Sequence, residues 1–149
     1  VDATISVKLG FMGSRGGMTQ NQVHALTKVL KDLDVTEVHH NDVHGAAHQF
    51  HNMANRIVMG ASFIAHPPNT PKYRAFCNVS SSVPPSGYLQ SGKQIVDATD
   101  LLVAAPRTDC ETRLGLTWKV VRYARNQKKN LLIIRPNGQY ILEINDGSK

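Results

Sequence analysis

The chain opens on a pattern that few folds accommodate. Apolar residues stand at every second position, Ile5, Val7, Leu9 and Phe11, and the run leads directly into the glycine-rich stretch Gly13-Ser14-Arg15-Gly16-Gly17. A two-residue alternation is the period of a strand, because successive side chains leave opposite faces of the pleat. Thr19 and Gln22 follow at the spacing at which a threonine hydroxyl and a glutamine amide satisfy each other's free backbone N–H groups at a helix start. Val23, Leu26, Leu30 and Leu33 then recur at helical spacing. Strand, glycine turn and helix in this order bring a helix N-terminus, with its unpaired amides, to the end of a strand, an arrangement that suits an anion.

The rest of the chain repeats the alternation. Glu37-Val38-His39-His40 reads as a second strand, and Phe50, Met53, Ala54 and Ile57 line one face of a helix from Ala46 that stops at Gly60. Ser62-Phe63-Ile64-Ala65-His66 reads as a third strand, cut off by Pro67-Pro68 because proline cannot donate to a ladder. Ile95 to Ala98 closes a short helix, and the nearly all-apolar Asp100-Leu101-Leu102-Val103-Ala104-Ala105 suits a central parallel strand buried on both faces. Leu114, Trp118, Val121 and Ala124 or Arg125 mark a further helix. Leu131 to Ile134 is another buried strand, and Tyr140 to Ile144 a last one after the Asn137-Gly138 turn. The expected fold is α/β, a Rossmann-like three-layer sandwich: a mostly parallel sheet with helices on both faces and a C-terminal hairpin at one edge. At 149 residues one domain, 1–149, is expected.

Seventeen Lys and Arg against eleven Asp and Glu give a net charge of +6, which favours anionic partners. Cys77 and Cys110 lack the spacing of a zinc site or a disulfide framework. No apolar run approaches the ~20 residues that span a bilayer, and the opening residues lack the basic-then-apolar pattern of a leader, so a cytoplasmic protein without membrane contact is expected.

In open parallel sheets ligands sit beyond the carboxyl ends of the strands. The first such loop, Gly13, Ser14, Arg15, Gly16 and Gly17, suits a phosphate: glycines permit close backbone approach and Arg15 adds a charged fork. It is neither GxGxxG nor a P-loop, and a plain tight turn with a solvated Arg15 is the competing reading. The second loop offers His40, Asp42 and Gly45 for a ribose or base. His44, His48 and His51 share a helical face with imidazoles suited to a transition metal, but that face carries no carboxylate, and no metal site is assigned. The segment from Pro67 to Tyr88, with five prolines, is expected to fold over the strand ends as a lid that carries Lys72, Arg74 and Tyr73 or Tyr88 towards the ligand. The loop after Ala105 offers Pro106, Arg113, Gly115 and Thr117, with Trp118 read as core and Glu111 as a first-turn carboxylate.

Taken in order, GSRGGMT, HHNDVHGA, IAHPP, IVDATDLLVAAP and TWKVVRYAR resemble the SLOG superfamily over roughly residues 4 to 136. That group of Rossmann-like domains includes the cytokinin-activating LOG phosphoribohydrolases, molybdenum-cofactor carrier proteins and DprA. The resemblance is closest to small stand-alone members from bacteria and phages. It implies a nucleotide-type ligand with its phosphate at Gly13, Ser14, Arg15 and Gly16, beside Gly45, and at Pro106, Gly115 and Thr117. It also implies a homo-oligomer. The LOG enzymes carry P-G-G-x-G-T-x-x-E, whereas here Arg107-Thr108 follow Pro106 and no glutamate follows Gly115.

The expected function is therefore binding of a nucleotide or nucleotide-derived, signalling-type ligand, with no cofactor. One alternative is a nucleoside monophosphate N-glycosidase in which Glu111 or Asp109 supplies the missing carboxylate. Another is single-stranded DNA binding driven by the positive charge.

Overall fold

The computed structural model describes residues 6–145, so Ile5 and the four residues before it, read above for a leader, lie outside the described residues. The elements run β1 (Ser6–Gly13), α1 (Gln20–Lys31), β2 (Asp34–His40), α2 (Ala46–Ile57) and β3 (Ser62–Ala65). After a single 3-10 turn at Pro71–Tyr73 come β4 (Ser81–Ser82), α3 (Tyr88–Ala98), β5 (Leu101–Ala105), α4 (Leu116–Asn126), β6 (Asn130–Ile134) and β7 (Tyr140–Glu143).

The seven strands form one sheet in the order β4-β3-β2-β1-β5-β6-β7. All neighbours are parallel except β6 and β7, which form the expected antiparallel edge. Strand alternation divides the core in two. Leu9, Phe11, Val38, Val103 and Leu132 pack against Leu26 and Leu30 of α1 and Phe50 and Met53 of α2. Met12, Leu102, Ala104, Leu131 and Ile133 pack on the other side against Ile95 and Val96 of α3 and Trp118, Val121 and Ala124 of α4. The α/β sandwich has two helices on each face of its sheet.

Thr19 and Gln22 form the reciprocal cap at the start of α1, with Gln22 N donating to Thr19 Oγ1 at 3.1 Å and Thr19 N donating to Gln22 Oε1 at 3.0 Å. The same glutamine donates through Nε2 to the carbonyls of Pro106 and Ile134, both at 2.9 Å. One buried amide thus fastens α1 to the carboxyl ends of β5 and β6.

The chain leaves β1 towards β2 on one side and returns on the other through β5. The carboxyl ends of β1 and β5 therefore diverge at a topological switch point, where a crevice opens.

Candidate functional site at the switch point

The loop after β1 is shaped from within. Ser14 Oγ accepts from Gly16 N at 3.0 Å, and the Ser14 carbonyl accepts from Gly17 N at 3.1 Å and Ala46 N at 2.9 Å. Gly17 has φ +98°, which the turn requires and which L side chains rarely adopt. Two amides of the loop are thus used within the loop itself. Gly45, with φ +102°, packs directly on this loop, and a Cβ there would run into the Arg15 carbonyl. Its role is close approach of backbone to backbone, in place of the expected approach to a ligand. Gln49 of α2 completes the support by accepting from Met18 N at 2.6 Å.

What the loop presents outwards is Ser14, Arg15 and Gly16, along one wall of a cavity of about 520 Å³. The opposite wall comprises Pro106, Arg107 and Thr108 after β5, Thr112, and the start of α4 from Gly115 to Trp118. Helix α4 has no side-chain cap and no acidic residue in its first turn. Gly115 N donates to Thr112 Oγ1 at 3.1 Å, and the amides that follow it, with the positive end of the dipole, face an anion without a side-chain cap. Arg15 and Arg107 are the charged residues of the lining, which contains no carboxylate.

Two anchors hold this wall. Trp118, 5% exposed and part of the core as expected, donates from Nε1 to Thr108 Oγ1 at 2.9 Å. Tyr88, at the start of α3, donates from Oη to the Gly13 carbonyl at 3.0 Å. Burial raises its pKa, so the phenol stays neutral. Of the residues expected at the site, the cavity brings together Ser14, Arg15, Gly16, Pro106, Gly115 and Thr117. Arg107, Thr108 and Thr112 were not singled out, although hydroxyls and a cation just after an apolar strand are a readable signal.

The second loop serves the interior. Asp42 N donates to His40 Nδ1 at 3.0 Å, so neutral His40 carries its proton on Nε2 and donates to His51 Nδ1, also at 3.0 Å. Burial, then the neighbouring His51, lowers the His40 pKa to about 3. The expected shared histidine face divides: His51 turns inwards, while His44 and His48 pair outside it with ring centres 6.2 Å apart. Among the described residues, donor atoms of His40, His51 and Cys77 converge within 4.8 Å. The His40–His51 hydrogen bond already uses the facing nitrogens, and an ion would have to displace that proton.

Asp42 is buried too, contrary to its expected place beside a ribose. Its carboxylate accepts from Arg74 Nε and from Cys77 N, both at 2.9 Å. Arg74 therefore points inwards, in place of reaching for a ligand. Lys72 is exposed, lies 5.1 Å from the Tyr73 ring centre and does not line the cavity. Of the four side chains expected on this lid, Tyr88 lines the cavity, and the ring of Tyr73 lies 4.7 Å from the Arg15 guanidinium.

The candidate catalytic carboxylates lie elsewhere. Asp109 and Glu111 line a separate groove with Arg125 and Ile141. Glu111 bonds Arg122 and Arg125, each at 2.9 Å, and these guanidinium groups, Arg122 first, hold its pKa below the usual carboxylate value. Arg113 offers its carbonyl to Arg122 at 2.8 Å and is also outside the cavity. No helix among the described residues is long and apolar enough to cross a membrane. No family model, curated protein or solved structure matches the chain.

Proposed function

We propose that the chain binds a phosphorylated small molecule of the nucleotide type, with the phosphate held between Arg15 and the start of α4. The observation that carries this reading is electrostatic. An uncapped helix N-terminus and two arginines share one cavity that has no carboxylate in its lining. A dianion gains there both from oriented amides and from guanidinium forks, at a site partly screened from water. The sequence resemblance to the SLOG superfamily points to the same ligand class. A binding protein is favoured over an N-glycosidase because the carboxylates available for hydrolysis, Asp109 and Glu111, are absent from this cavity.

Isothermal titration with inorganic phosphate, ribose 5-phosphate, nucleoside mono- and diphosphates, cyclic nucleotides and ADP-ribose tests the reading. Saturable heat from at least one phosphate ester, weakened by salt, is expected. Absence of heat and of any thermal shift across the panel overturns it.

A further inference from the structure

Beside the phosphate cavity lies a second, of about 270 Å³, walled by Val43, Pro68, Tyr73 and Leu116, with Asn69 and Thr70 also in its lining. Arg15, Tyr88 and Leu116 line both spaces and so form the partition between them. The chemistry changes across this partition. On one side are cations, hydroxyls and open amides. On the other, beyond the shared Arg15, are hydrocarbon and aromatic surfaces, with a carboxamide and hydroxyls as hydrogen-bonding groups. A second phosphate gains little there, whereas a flat neutral ring buries its faces and offers its polar edge to Asn69 and Thr70.

The wall is held in place before any ligand arrives. Tyr73 O accepts from His44 N at 2.9 Å, Arg74 is pinned by Asp42 at 2.9 Å, and Asn69 N donates to Ser86 O at 3.0 Å. Pro68 and Ser86 are further joined by an isolated parallel bridge, and Val43 and Arg74 by an antiparallel one. A surface fixed in this way loses little entropy on binding and can discriminate by shape.

We infer that the second cavity receives the base of a nucleoside phosphate whose phosphate occupies the first, and that residues 68–73 determine which base is accepted. This rests on the phosphate reading given above. The ligand is recognised at both ends, and Arg15, stacked on Tyr73, stands where the two ends meet.

Gly87 gives a clean test. It lines only the second cavity, its φ of −65° suits any residue, and nothing lies within 4 Å of a Cβ built there. Gly87→Trp therefore sets a bulky ring at the edge of the base cavity with little effect on the fold. Titration of the full chain with ribose 5-phosphate and the four ribonucleoside 5′-monophosphates is expected to show at least one monophosphate binding about 10-fold tighter than ribose 5-phosphate, a difference of about 1.4 kcal/mol. In Gly87→Trp this preference disappears while ribose 5-phosphate binds as before. The exposed double substitution Asn69→Ala with Thr70→Ala should reorder the four bases and likewise spare ribose 5-phosphate. Equal binding of ribose 5-phosphate and all four monophosphates in the unmodified protein, or a preference undiminished in Gly87→Trp with the order of the bases unchanged in Asn69→Ala/Thr70→Ala, overturns the base cavity and leaves the phosphate site standing. Absence of binding by every phosphate ester overturns both.

Discussion

Asp42 Oδ2 accepts a hydrogen bond from Arg74 Nε at 2.9 Å, with the carboxylate wholly buried and the Arg74 side chain only 24% exposed. The Asp42 carbonyl also accepts from Ala75 N at 2.7 Å, and its second carboxylate oxygen from Cys77 N at 2.9 Å. One residue just beyond β2 thus fastens Arg74, Ala75 and Cys77, which follow directly on the residues that wall the second cavity.

Removing Arg74 leaves the wholly buried Asp42 carboxylate without its counter-charge, which costs about 3 kcal/mol or more. For a chain of this size that corresponds to a fall in Tm of about 6 to 12 °C. Arg74→Ala should show it by thermal denaturation, and Asp42→Ala, which leaves the partly exposed Arg74, should lower Tm by less. Lys72→Ala, at an exposed position, should leave Tm within about 1 °C.

Arg15 should dominate affinity. Losing charge-assisted hydrogen bonds to a phosphate costs about 1.5 to 3 kcal/mol, so Arg15→Ala is expected to weaken nucleotide binding by roughly 10- to 100-fold in titration calorimetry. Glu111→Gln should leave affinity unchanged, because Glu111 faces Arg122 and Arg125 across a different groove.

Stability should fall in mild acid. Burial, acting first in each case, lowers the pKa values of His40, His51 and His66 in the folded chain. Below the ordinary histidine value near 6.5 the unfolded chain binds protons that the folded chain refuses, which favours unfolding. For His40 this continues down to about pH 3. Each such histidine contributes at most about 1.4 kcal/mol per pH unit. Urea unfolding between pH 7.5 and 5 should show the loss, with a shallower slope in His40→Gln.

The two thiols should differ in reactivity. Burial and then Asp42 raise the Cys77 pKa to about 12, whereas Cys110 is exposed. A disulfide reagent at pH 8 should label one thiol per native chain and two after denaturation. Asp42→Ala should release the second under native conditions.

Gly45→Ala is expected to be far more damaging than Gly60→Ala. Both glycines have positive φ, +102° and +85°, so both substitutions carry backbone strain of about 1 kcal/mol or more. Only at Gly45 would the added Cβ also meet the Arg15 backbone, while nothing lies within 4 Å at Gly60. Denaturant midpoints would separate the two, and phosphate binding should fall in Gly45→Ala alone.

Periodicity and end signals were enough to place the sheet and most helices, because they report short-range physics. The start of α2, the cap of α1 and the β6–β7 hairpin could each be read from a few adjacent residues, while α2 ends at Ile57, before the expected stop at Gly60. Helix α3 was legible only at its end. Its interior Gly92 breaks the apolar pattern, and its place is set by α4, since a Cβ there would meet Val120. Strand β4 had no local signal, for Ser81 and Ser82 are extended only through their pairing with Ile64 and Ala65. The polar residues divided the same way. Arg15, Gly115 and Thr117 stand close to chain turns that already point them at the strand ends, so their address could be read along the chain. His40, Asp42, Arg74 and Glu111 are polar residues with no such constraint, and their roles depend on partners 11 to 35 residues away. Sequence alone marks a side chain as able to bind a ligand or an internal partner. Packing decides between them, because a buried charge must be matched by whichever group the fold brings within reach.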